Sequence, residues 1–291
     1  MAARFIGDRA YLADLYRKRF GRFPDLDHPS GFNEKILFKI LGDRRAYLTL
    51  FADRLRVRDY VRQRTPSVVL PRLYAWSDSA ASLPFDALPE SFVLKANHGS
   101  GWLRIVERKD DVDQAALVRL AAKWLASDFT IVGREWAYRD VHRAVYAEEL
   151  LRDDAGGLPP DFKLYTFDAK VRLIQVDRDR YGRHTQVLYD PQWRPIAGSV
   201  AAAQGDPLAP PAALPRMIEA AQALAAGIDF LRVDLYEIAG SIVFGELTNY
   251  PNKGLNRFRP ASLDALLGNW LTLAPTRPVP IDYRPETFSG M

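Results

Sequence analysis

The most informative absence from this sequence is cysteine, of which the chain has none. A thiol nucleophile and a zinc site with cysteine ligands are therefore excluded. The chain also lacks any apolar run near the ~20 residues that span a bilayer. Charges at Arg4, Asp8 and Arg9 interrupt its start, so no signal peptide is indicated. We expect a cytoplasmic protein without a transmembrane segment.

Lysine is scarce, since only nine of the 40 basic residues are lysine and the rest are arginine. The 36 acidic residues leave a net charge of +4, and arginine is concentrated between residues 44 and 58. Such a stripe is compatible with an anionic partner but is more typical of a solvated helix face. No zinc finger or aromatic RNA-binding motif accompanies it, so we expect no nucleic-acid partner.

The 291 residues, 48% hydrophobic and 26% charged, are typical of a globular protein of roughly two domains. Helical and strand-like periodicity alternate along the chain, which predicts an α+β fold. We expect a helical region with a short strand at 1–85, a central lobe at 86–152 and a C-terminal lobe at 153–291. Helices are predicted at residues 10–20, 33–41 with Asn33 as cap, 46–64, 113–127, 214–226 and 262–270 with Ser262 as cap. Strands are predicted at residues 67–71, 92–96, 102–106, 144–151, 161–167, 171–177, 230–238 and 241–248.

The last two predicted strands bring acidic residues together. Side chains alternate along a strand, so Arg232 and Asp234 share one face, and Glu246 lies on a face of the next strand. A tight hairpin places Asp234 beside Glu246, where two carboxylates repel each other unless a cation relieves the repulsion. Mg²⁺ suits such oxygen ligands, and Asn249 follows where the strand ends. An ion pair between Arg232 and Asp234 is an equally good interpretation of these residues.

Two strand centres each carry an isolated lysine, Lys95 and Lys163. A buried lysine needs an anion nearby, whereas a lysine that extends to solvent is the alternative. Residues 97–102, Asn-His-Gly-Ser-Gly-Trp, form a glycine-bearing tip after the first of these strands. Glycine lets backbone N–H groups approach phosphate oxygens closely, although the chain has neither a Walker A motif nor Gly-x-Gly-x-x-Gly. The tip is a weak motif by itself, because many hairpins carry Gly-Ser-Gly, and phosphate binding is the use that its glycines would allow.

Taken in order, these segments resemble the ATP-grasp superfamily, and most closely its TupA-like branch, named for teichuronopeptide biosynthesis. The resemblance implies an ATP-grasp fold in which two α+β lobes clamp ATP, preceded by the helical N-terminal region. The segments that carry it are residues 31–36, 52–61, 92–101, 160–167, 188–193, 231–236 and 244–248.

The resemblance also implies roles for individual residues. Asp234 and Glu246 become the magnesium ligands, and Arg232 and Lys95 are the implied catalytic cations at the transferred phosphate. The superfamily usually has Asn two residues after the metal-binding Glu, where this chain has Thr248 followed by Asn249, which leaves Asn249 as the third candidate ligand. The residues implied to bind ATP are Lys95, the loop Gly99, Ser100 and Gly101, the adenine hinge Glu148, Glu149 and Leu151, and the ribose- or adenine-contacting Asp161 and Lys163.

The implied activity is that of a carboxylate–amine ligase that uses ATP and Mg²⁺ and forms an acyl phosphate. Its partners would be a small-molecule or glycan carboxylate and an amine such as an amino acid. Arg178, Arg180 and His184 are candidates to bind the anionic acceptor, and Arg178 is the third candidate catalytic residue; a charged hairpin face is the alternative. The usual Asp-Lys of the family is Asp53-Arg54 here, which keeps the charge but changes the geometry. A phosphotransferase acting on a sugar hydroxyl and a nucleotide-binding module without turnover stay open.

Overall fold

The computed structural model describes residues 7–179 and 182–273. Over those ranges it contains two β-sheets with helices packed on them, which confirms the predicted α+β fold. No helix in the described ranges is both long and apolar enough to cross a membrane. The α-helices are α1 (Asp8–Phe20), α2 (Phe32–Gly42), α3 (Ala46–Ala52), α4 (Val57–Arg64), α5 (Gln114–Ala126), α6 (Phe129–Gly133), α7 (Leu214–Leu224) and α8 (Ser262–Trp270). The strands are β1 (Leu73–Ser77), β2 (Phe92–Ala96), β3 (Leu103–Val106), β4 (Val145–Glu148), β5 (Asp161–Phe167), β6 (Lys170–Arg178), β7 (Thr185–Tyr189), β8 (Pro195–Ile196), β9 (Ala203–Gln204), β10 (Phe230–Ile238) and β11 (Ser241–Thr248).

The smaller sheet has four antiparallel strands in the order β1-β4-β2-β3. Leu94 of β2 packs in one apolar core with Leu117 and Trp124 of α5, because those two side chains lie on the same stripe of the helix. The carboxylate of Asp113 begins α5 by accepting a hydrogen bond from the backbone N–H of Ala115 at 2.8 Å. The sheet and its helix hold the β2–β3 hairpin, which was predicted from the sequence, with its glycine tip at one end.

The larger sheet has the order β11-β10-β5-β6-β7-β8, with β9 parallel to β7. Its apolar face shares one core with the N-terminal helices, in which Phe32 of α2 and Phe230 of β10 lie 5.0 Å apart between ring centroids. Phe51 of α3 and Met217 of α7 belong to the same core. The N-terminal helices are therefore packed on the large sheet, and the boundaries of the three expected regions stay predictions.

The helix predicted over residues 46–64 is wrong, because two helices, α3 and α4, occupy this stretch. Asp53 interrupts it, since its side-chain Oδ1 accepts hydrogen bonds from the backbone N–H groups of Leu55 at 3.1 Å and Arg56 at 3.0 Å. An aspartate that bonds to the backbone in this way stabilises a turn in place of a continuous helix. The turn between α3 and α4 carries Arg54.

The strand predicted at residues 67–71 is also wrong. Val69 makes only an isolated parallel bridge to β11, in which its N–H donates to the carbonyl of Ile242 and its carbonyl accepts from the N–H of Phe244, both at 2.8 Å. The strand of this region, β1, begins a few residues later at Leu73. Because β11 is the outer strand of the large sheet, Val69 covers part of its open edge.

Two predicted helix caps differ from the structure. Asn33 lies inside α2, after Gly31 at the N-cap, and its side-chain amide donates to the carbonyl of Asn256 at 2.9 Å. Ser262 is the first residue of α8, and the N-cap position belongs to Ala261. In both cases the chain enters the helix a residue or two before the polar side chain that suggested the cap.

Candidate active site

A cavity of about 270 Å³ lies between the two sheets. Part of its lining is apolar and includes Val93, Ile105, Leu151 and Phe244. The polar residues that line it are Lys95, Ser100, Glu148, Glu149, Asp161, Asp177, Asp179, Asp234, Tyr236 and Glu246. A pocket with an apolar side and a few convergent charges is the usual form of a small-molecule site.

The glycine tip of the β2–β3 hairpin stands at the edge of this cavity, which Ser100 and Gly101 line. Gly101 has a φ of 74°, a left-handed conformation that favours glycine. At Gly99 the limit is space, because a Cβ there would lie 2.6 Å from the ring of Trp102. The tip is tied to the turn between α3 and α4, since Oδ1 of Asn97 accepts a hydrogen bond from the N–H of Leu55 at 3.0 Å.

Lys95 points into the cavity from β2 and forms an ion pair with Glu148 of β4. Burial alone would lower the pKa of the lysine, but the Glu148 carboxylate raises that pKa above its ordinary value. Glu148 also lies 3.6 Å from Arg58 of α4. Glu149 and Leu151 line the same wall, so the structure brings together the residues predicted for the adenine hinge, whose role stays a prediction.

Asp234 and Glu246 are direct partners in the antiparallel pairing of β10 with β11, which confirms the predicted placement side by side. The pairing contains an extra residue, Gly245, because Asp234 pairs with Glu246 while the next residue, Leu235, pairs with Phe244. A Cβ on Gly245 would lie 2.8 Å from the backbone oxygen of Asp234. The bulge is therefore part of what places the two carboxylates together.

Arg232 joins the two carboxylates. Its Nε and Nη2 donate to Oδ1 and Oδ2 of Asp234, both at 2.7 Å, and Nη2 also donates to Oε1 of Glu246 at 2.9 Å. Both interpretations of the sequence are thus found at once, since the carboxylates are adjacent and Arg232 is paired with Asp234. A planar guanidinium bound in this two-point manner makes one of the stronger hydrogen-bonded ion pairs.

Lys163 lies among the carboxylates of Asp161, Asp177 and Asp234 and is only 4% exposed. Its ammonium donates to Oδ2 of Asp161 at 2.5 Å and to Oδ2 of Asp234 at 2.8 Å, and it lies 3.9 Å from Asp177. The side-chain amide of Gln175 in turn donates to both carboxylate oxygens of Asp177. The buried lysine therefore has the anionic surroundings that its burial requires.

Arg54, from the turn between α3 and α4, contacts the remaining oxygen of the acidic pair. Its Nη2 lies 2.9 Å from Oε2 of Glu246, and its Nη1 is buried without a hydrogen-bond partner. Burial raises the pKa of Glu246, but Arg54, Arg232 and Lys163 together hold that pKa well below its ordinary value. Glu246 is thus an ionised carboxylate.

Thr248 and Asn249 face in different directions. The hydroxyl of Thr248 donates to Oε1 of Glu246 at 2.9 Å and accepts from Arg232 at 3.0 Å. The side-chain amide of Asn249 donates instead to the backbone carbonyl of Leu48 in α3 at 2.8 Å. Thr248 is thus the hydrogen-bonded neighbour of the Asp234–Glu246 pair. Oδ1 of Asn249 is buried without a hydrogen-bond partner, and the role of Asn249 as a metal ligand stays a prediction.

The residues predicted to bind an acceptor lie at the outer end of β6 and β7. Nη2 of Arg178 donates to the backbone carbonyl of Asp206 at 3.3 Å, in an exposed position outside the cavity lining. His184 lies 3.4 Å from Asp177. Arg180 lies outside the described residues. Arg178 does not line the cavity that Lys95 lines, and its catalytic role stays a prediction.

The carboxylate pair of Asp234 and Glu246 fits Mg²⁺ in its donor chemistry. Asp234 and Glu246 present four carboxylate oxygens, the hard ligands that Mg²⁺ prefers. Over residues 7–179 and 182–273, no three acidic or histidine side chains are arranged to hold an ion by themselves. A magnesium ion here would complete its coordination with water and with oxygens of a bound ligand, as it does when it binds together with phosphates.

Sequence reasoning missed Asp177, which lines the cavity and lies beside Lys163. A signal was available, because Asp177 and Gln175 interrupt the otherwise apolar course of β6 on one face of the strand. Arg54 was noted only as a departure from the family pattern. No local signal places it beside Glu246, because the contact depends on how the turn packs across the sheet.

The two sheets, with a cavity between them that a glycine tip and a carboxylate pair border, form an ATP-grasp fold. The chain belongs to the TupA-like ATP-grasp family, whose model matches residues 34–272. A comparison with curated protein sequences found no match.

Solved structures with a similar fold are distant in sequence. A RimK domain protein of the ATP-grasp class from Sphaerobacter thermophilus is 15% identical with a TM-score of 0.45, and the match covers 93% of this chain and 97% of that one. The D-alanine–D-alanine ligase of Bacillus anthracis complexed with ATP is 15% identical with a TM-score of 0.41, over 69% of this chain and 54% of the ligase. The ATP-grasp ligase PsnB with its precursor, Mg and ADP is 16% identical with a TM-score of 0.40, over 70% and 52%. The chain thus spans about half the length of the last two proteins.

Proposed function

We propose that the chain is an ATP- and Mg²⁺-dependent ligase that joins a carboxylate to an amine through an acyl phosphate. The observation that carries the proposal is the pairing of Asp234 with Glu246 at a cavity that Lys95 and Gly101 also line. Membership of the TupA-like ATP-grasp family supports a nucleotide as the ligand of this cavity. The apolar lining suits the adenine, and the charged lining suits the phosphates.

The proposed reaction has two steps. An oxygen of the substrate carboxylate attacks the γ-phosphorus of ATP, the bond to the β-phosphate oxygen breaks, and ADP leaves. The amine then attacks the acyl carbon, phosphate leaves, and the nitrogen loses a proton to give the amide. Bound Mg²⁺ would neutralise phosphate charge from its position at Asp234 and Glu246. Lys95 and Arg232 stabilise the charge on the transferred phosphoryl group by fixed positive charge.

The acceptor that we propose is a carboxylate of a cell-surface glycan, with an amino acid as the amine. The support is the resemblance to the family named for teichuronopeptide biosynthesis, in which a uronic acid is the natural source of a glycan carboxylate. Arg178 and His184 stay candidates for holding that anion, outside the nucleotide cavity.

The decisive assay incubates the protein with ATP, Mg²⁺ and pools of amino acids and uronic acids, and follows phosphate release and product mass. We expect ADP, free phosphate and a product whose mass corresponds to an amide. An acceptor that gains one phosphoryl group instead would contradict the ligase and select a phosphotransferase. Nucleotide binding without any product would select a module without turnover.

Substitution of the carboxylate pair tests the site itself. Asp234→Asn and Glu246→Gln should each lower kcat/KM by roughly 100-fold, because each removes a carboxylate that would hold the Mg²⁺ at the transferred phosphate. The matched control is Asp168→Asn, the same change in the exposed β5–β6 turn, which should keep wild-type activity. Wild-type turnover in both site variants would refute the assignment of the metal site.

A further inference from the structure

Each carboxylate oxygen of Asp234 and Glu246 is already held by a cationic side chain. Arg232 donates to both oxygens of Asp234 at 2.7 Å and to Oε1 of Glu246 at 2.9 Å. The fourth oxygen, Oε2 of Glu246, lies 2.9 Å from Nη2 of Arg54. A metal ion needs the lone pairs of the same oxygens. A metal ion that binds these oxygens therefore competes with guanidinium groups that are already bound to them.

The two arginines are held differently. Arg232 lies two residues from Asp234 on the same strand and binds it with two hydrogen bonds, which fixes its geometry. Arg54 reaches Glu246 from another part of the fold and contacts it through Nη2, while its Nη1 is buried without a hydrogen-bond partner. A buried N–H group without an acceptor is destabilising where it stands. Arg54 is therefore the group that is exchanged more easily.

The backbone that carries Arg54 is fixed on both sides. The carboxylate of Asp53 holds the N–H groups of Leu55 and Arg56, and Oδ1 of Asn97 from the glycine tip also accepts from Leu55 at 3.0 Å. Exchange at Glu246 thus requires only that the arginine side chain rotates. The same hydrogen bond connects the Arg54 turn directly to the loop proposed to cover the phosphates.

We propose that Arg54 occupies the metal-binding oxygen of Glu246 until the magnesium–nucleotide enters, so that the metal binds with the nucleotide and not before it. This inference rests on the metal site of the proposed function. Without nucleotide, Arg54, Arg232 and Lys163 already neutralise most of the carboxylate charge here, so little net negative charge is left to attract a lone divalent cation. The phosphates of a nucleotide bring negative charge with the metal and offer an acceptor to the displaced guanidinium.

The test uses Mn²⁺ as the probe and measures its affinity for the full chain by electron paramagnetic resonance, without nucleotide. Wild type should bind Mn²⁺ weakly, and Arg54→Gln should bind it about tenfold more tightly, because the competing cation is gone. Arg54→Lys keeps the charge and should stay close to wild type. The control Arg58→Gln removes another buried arginine, one that contacts Glu148, and should leave Mn²⁺ affinity unchanged. With AMP-PNP present, the difference between wild type and Arg54→Gln should shrink.

The outcomes separate this inference from the proposed function. If wild type and Arg54→Gln bind Mn²⁺ with equal affinity, the exchange is overturned. If Glu246→Gln then abolishes Mn²⁺ binding in both backgrounds, the metal site itself is still supported. A gain in Arg54→Gln that persists in the double variant with Glu246→Gln means that the metal binds elsewhere, and the metal site of the proposed function fails. If circular dichroism shows that Arg54→Gln does not fold, the test uses the Mn²⁺ affinity of wild type and of Glu246→Gln. Tight Mn²⁺ binding by wild type without nucleotide, lost in Glu246→Gln, contradicts the exchange.

Discussion

Glu135 is a buried acid whose neighbours include charged residues of the proposed site. It is 5% exposed, and its Oε1 lies 3.9 Å from the ammonium of Lys253, beyond hydrogen-bond distance. Burial raises the pKa of Glu135 to about 7, although Lys253 and Arg54 act to lower it. Both Lys253 and Arg134, which precedes Glu135, have a left-handed backbone conformation.

The raised pKa gives a prediction about pH and stability. Between the ordinary pKa of a glutamate and about 7, the folded protein holds a proton on Glu135 that the unfolded chain has lost, so stability falls as the pH rises through this window. Glu135→Gln removes the titrating group. The difference in free energy of unfolding between this variant and wild type should therefore shift in favour of the variant by up to about 3 kcal/mol from pH 4 to pH 8. Urea unfolding at the two pH values measures this gain. The control is Glu219→Gln on the exposed side of α7, and an equal effect of Glu135→Gln at both pH values would contradict the assignment.

Among structural elements, the β10–β11 hairpin contributes most to the proposed site. The strand alternation that puts Arg232 and Asp234 on one face is local, so the sequence was enough to predict it. The bulge at Gly245 was not predicted, because it depends on a one-residue mismatch between two strands and not on a pattern within either. It nevertheless sets which residue of β11 lies opposite Asp234.

The close approach at the bulge gives a prediction at the level of the hairpin. Gly245→Ala places a Cβ 2.8 Å from the backbone oxygen of Asp234, so the strands must shift. We expect a loss of roughly 1–3 kcal/mol in the free energy of unfolding, together with weaker binding of Mn²⁺ with AMP-PNP. Chemical denaturation and nucleotide titration measure the two effects. Ser241→Ala at the exposed start of β11 is the control, and unchanged metal–nucleotide binding in Gly245→Ala would show that the bulge does not position the carboxylates.

The helices show where sequence reasoning reaches its limit. Most strands and the positions of Lys95 and Glu246 followed from periodicity of two and from runs of apolar residues. The turn at Asp53 did not, because an aspartate within a helical pattern is tolerated in one context and breaks the helix in another. Arg54 was consequently placed on a helix face, whereas it reaches the carboxylates. The direction of Asn249, toward α3, was likewise decided by packing between distant segments.

At the scale of the whole molecule, the proposed ligand lies between two sheets that have separate cores. The four-stranded sheet packs Leu94 and its other core residues on one face and lines the cavity with Val93 and Lys95 of the opposite face, while the large sheet lines the cavity with Asp234 and Glu246. Lys95 and the glycine tip approach from the first sheet, and the acidic group approaches from the second. A ligand that contacts both would add contacts between them, and binding to the folded state alone raises its stability.

We therefore expect ATP and Mg²⁺ to raise the thermal midpoint only when they are added together. At a concentration of 100 times the dissociation constant, ligand binding contributes about 2.7 kcal/mol, which corresponds to roughly 5–10 °C for a chain of this size. Differential scanning fluorimetry with ATP and EDTA, with Mg²⁺ alone, and with both provides the comparison. GTP with Mg²⁺ is the control for the base. An equal shift with Mg²⁺ alone would contradict coupled binding.

The bridge from Val69 to β11 has a consequence for how the protein behaves at high concentration. An outer strand with free N–H and C=O groups is a template for pairing with another chain, and natural proteins shield such edges. The backbone of Val69 forms hydrogen bonds with the N–H of Phe244 and the carbonyl of Ile242, near the middle of the strand that carries Glu246. One short segment of extended chain thus shields the β10–β11 hairpin from self-association, and its loss would favour aggregation that begins at the proposed active site.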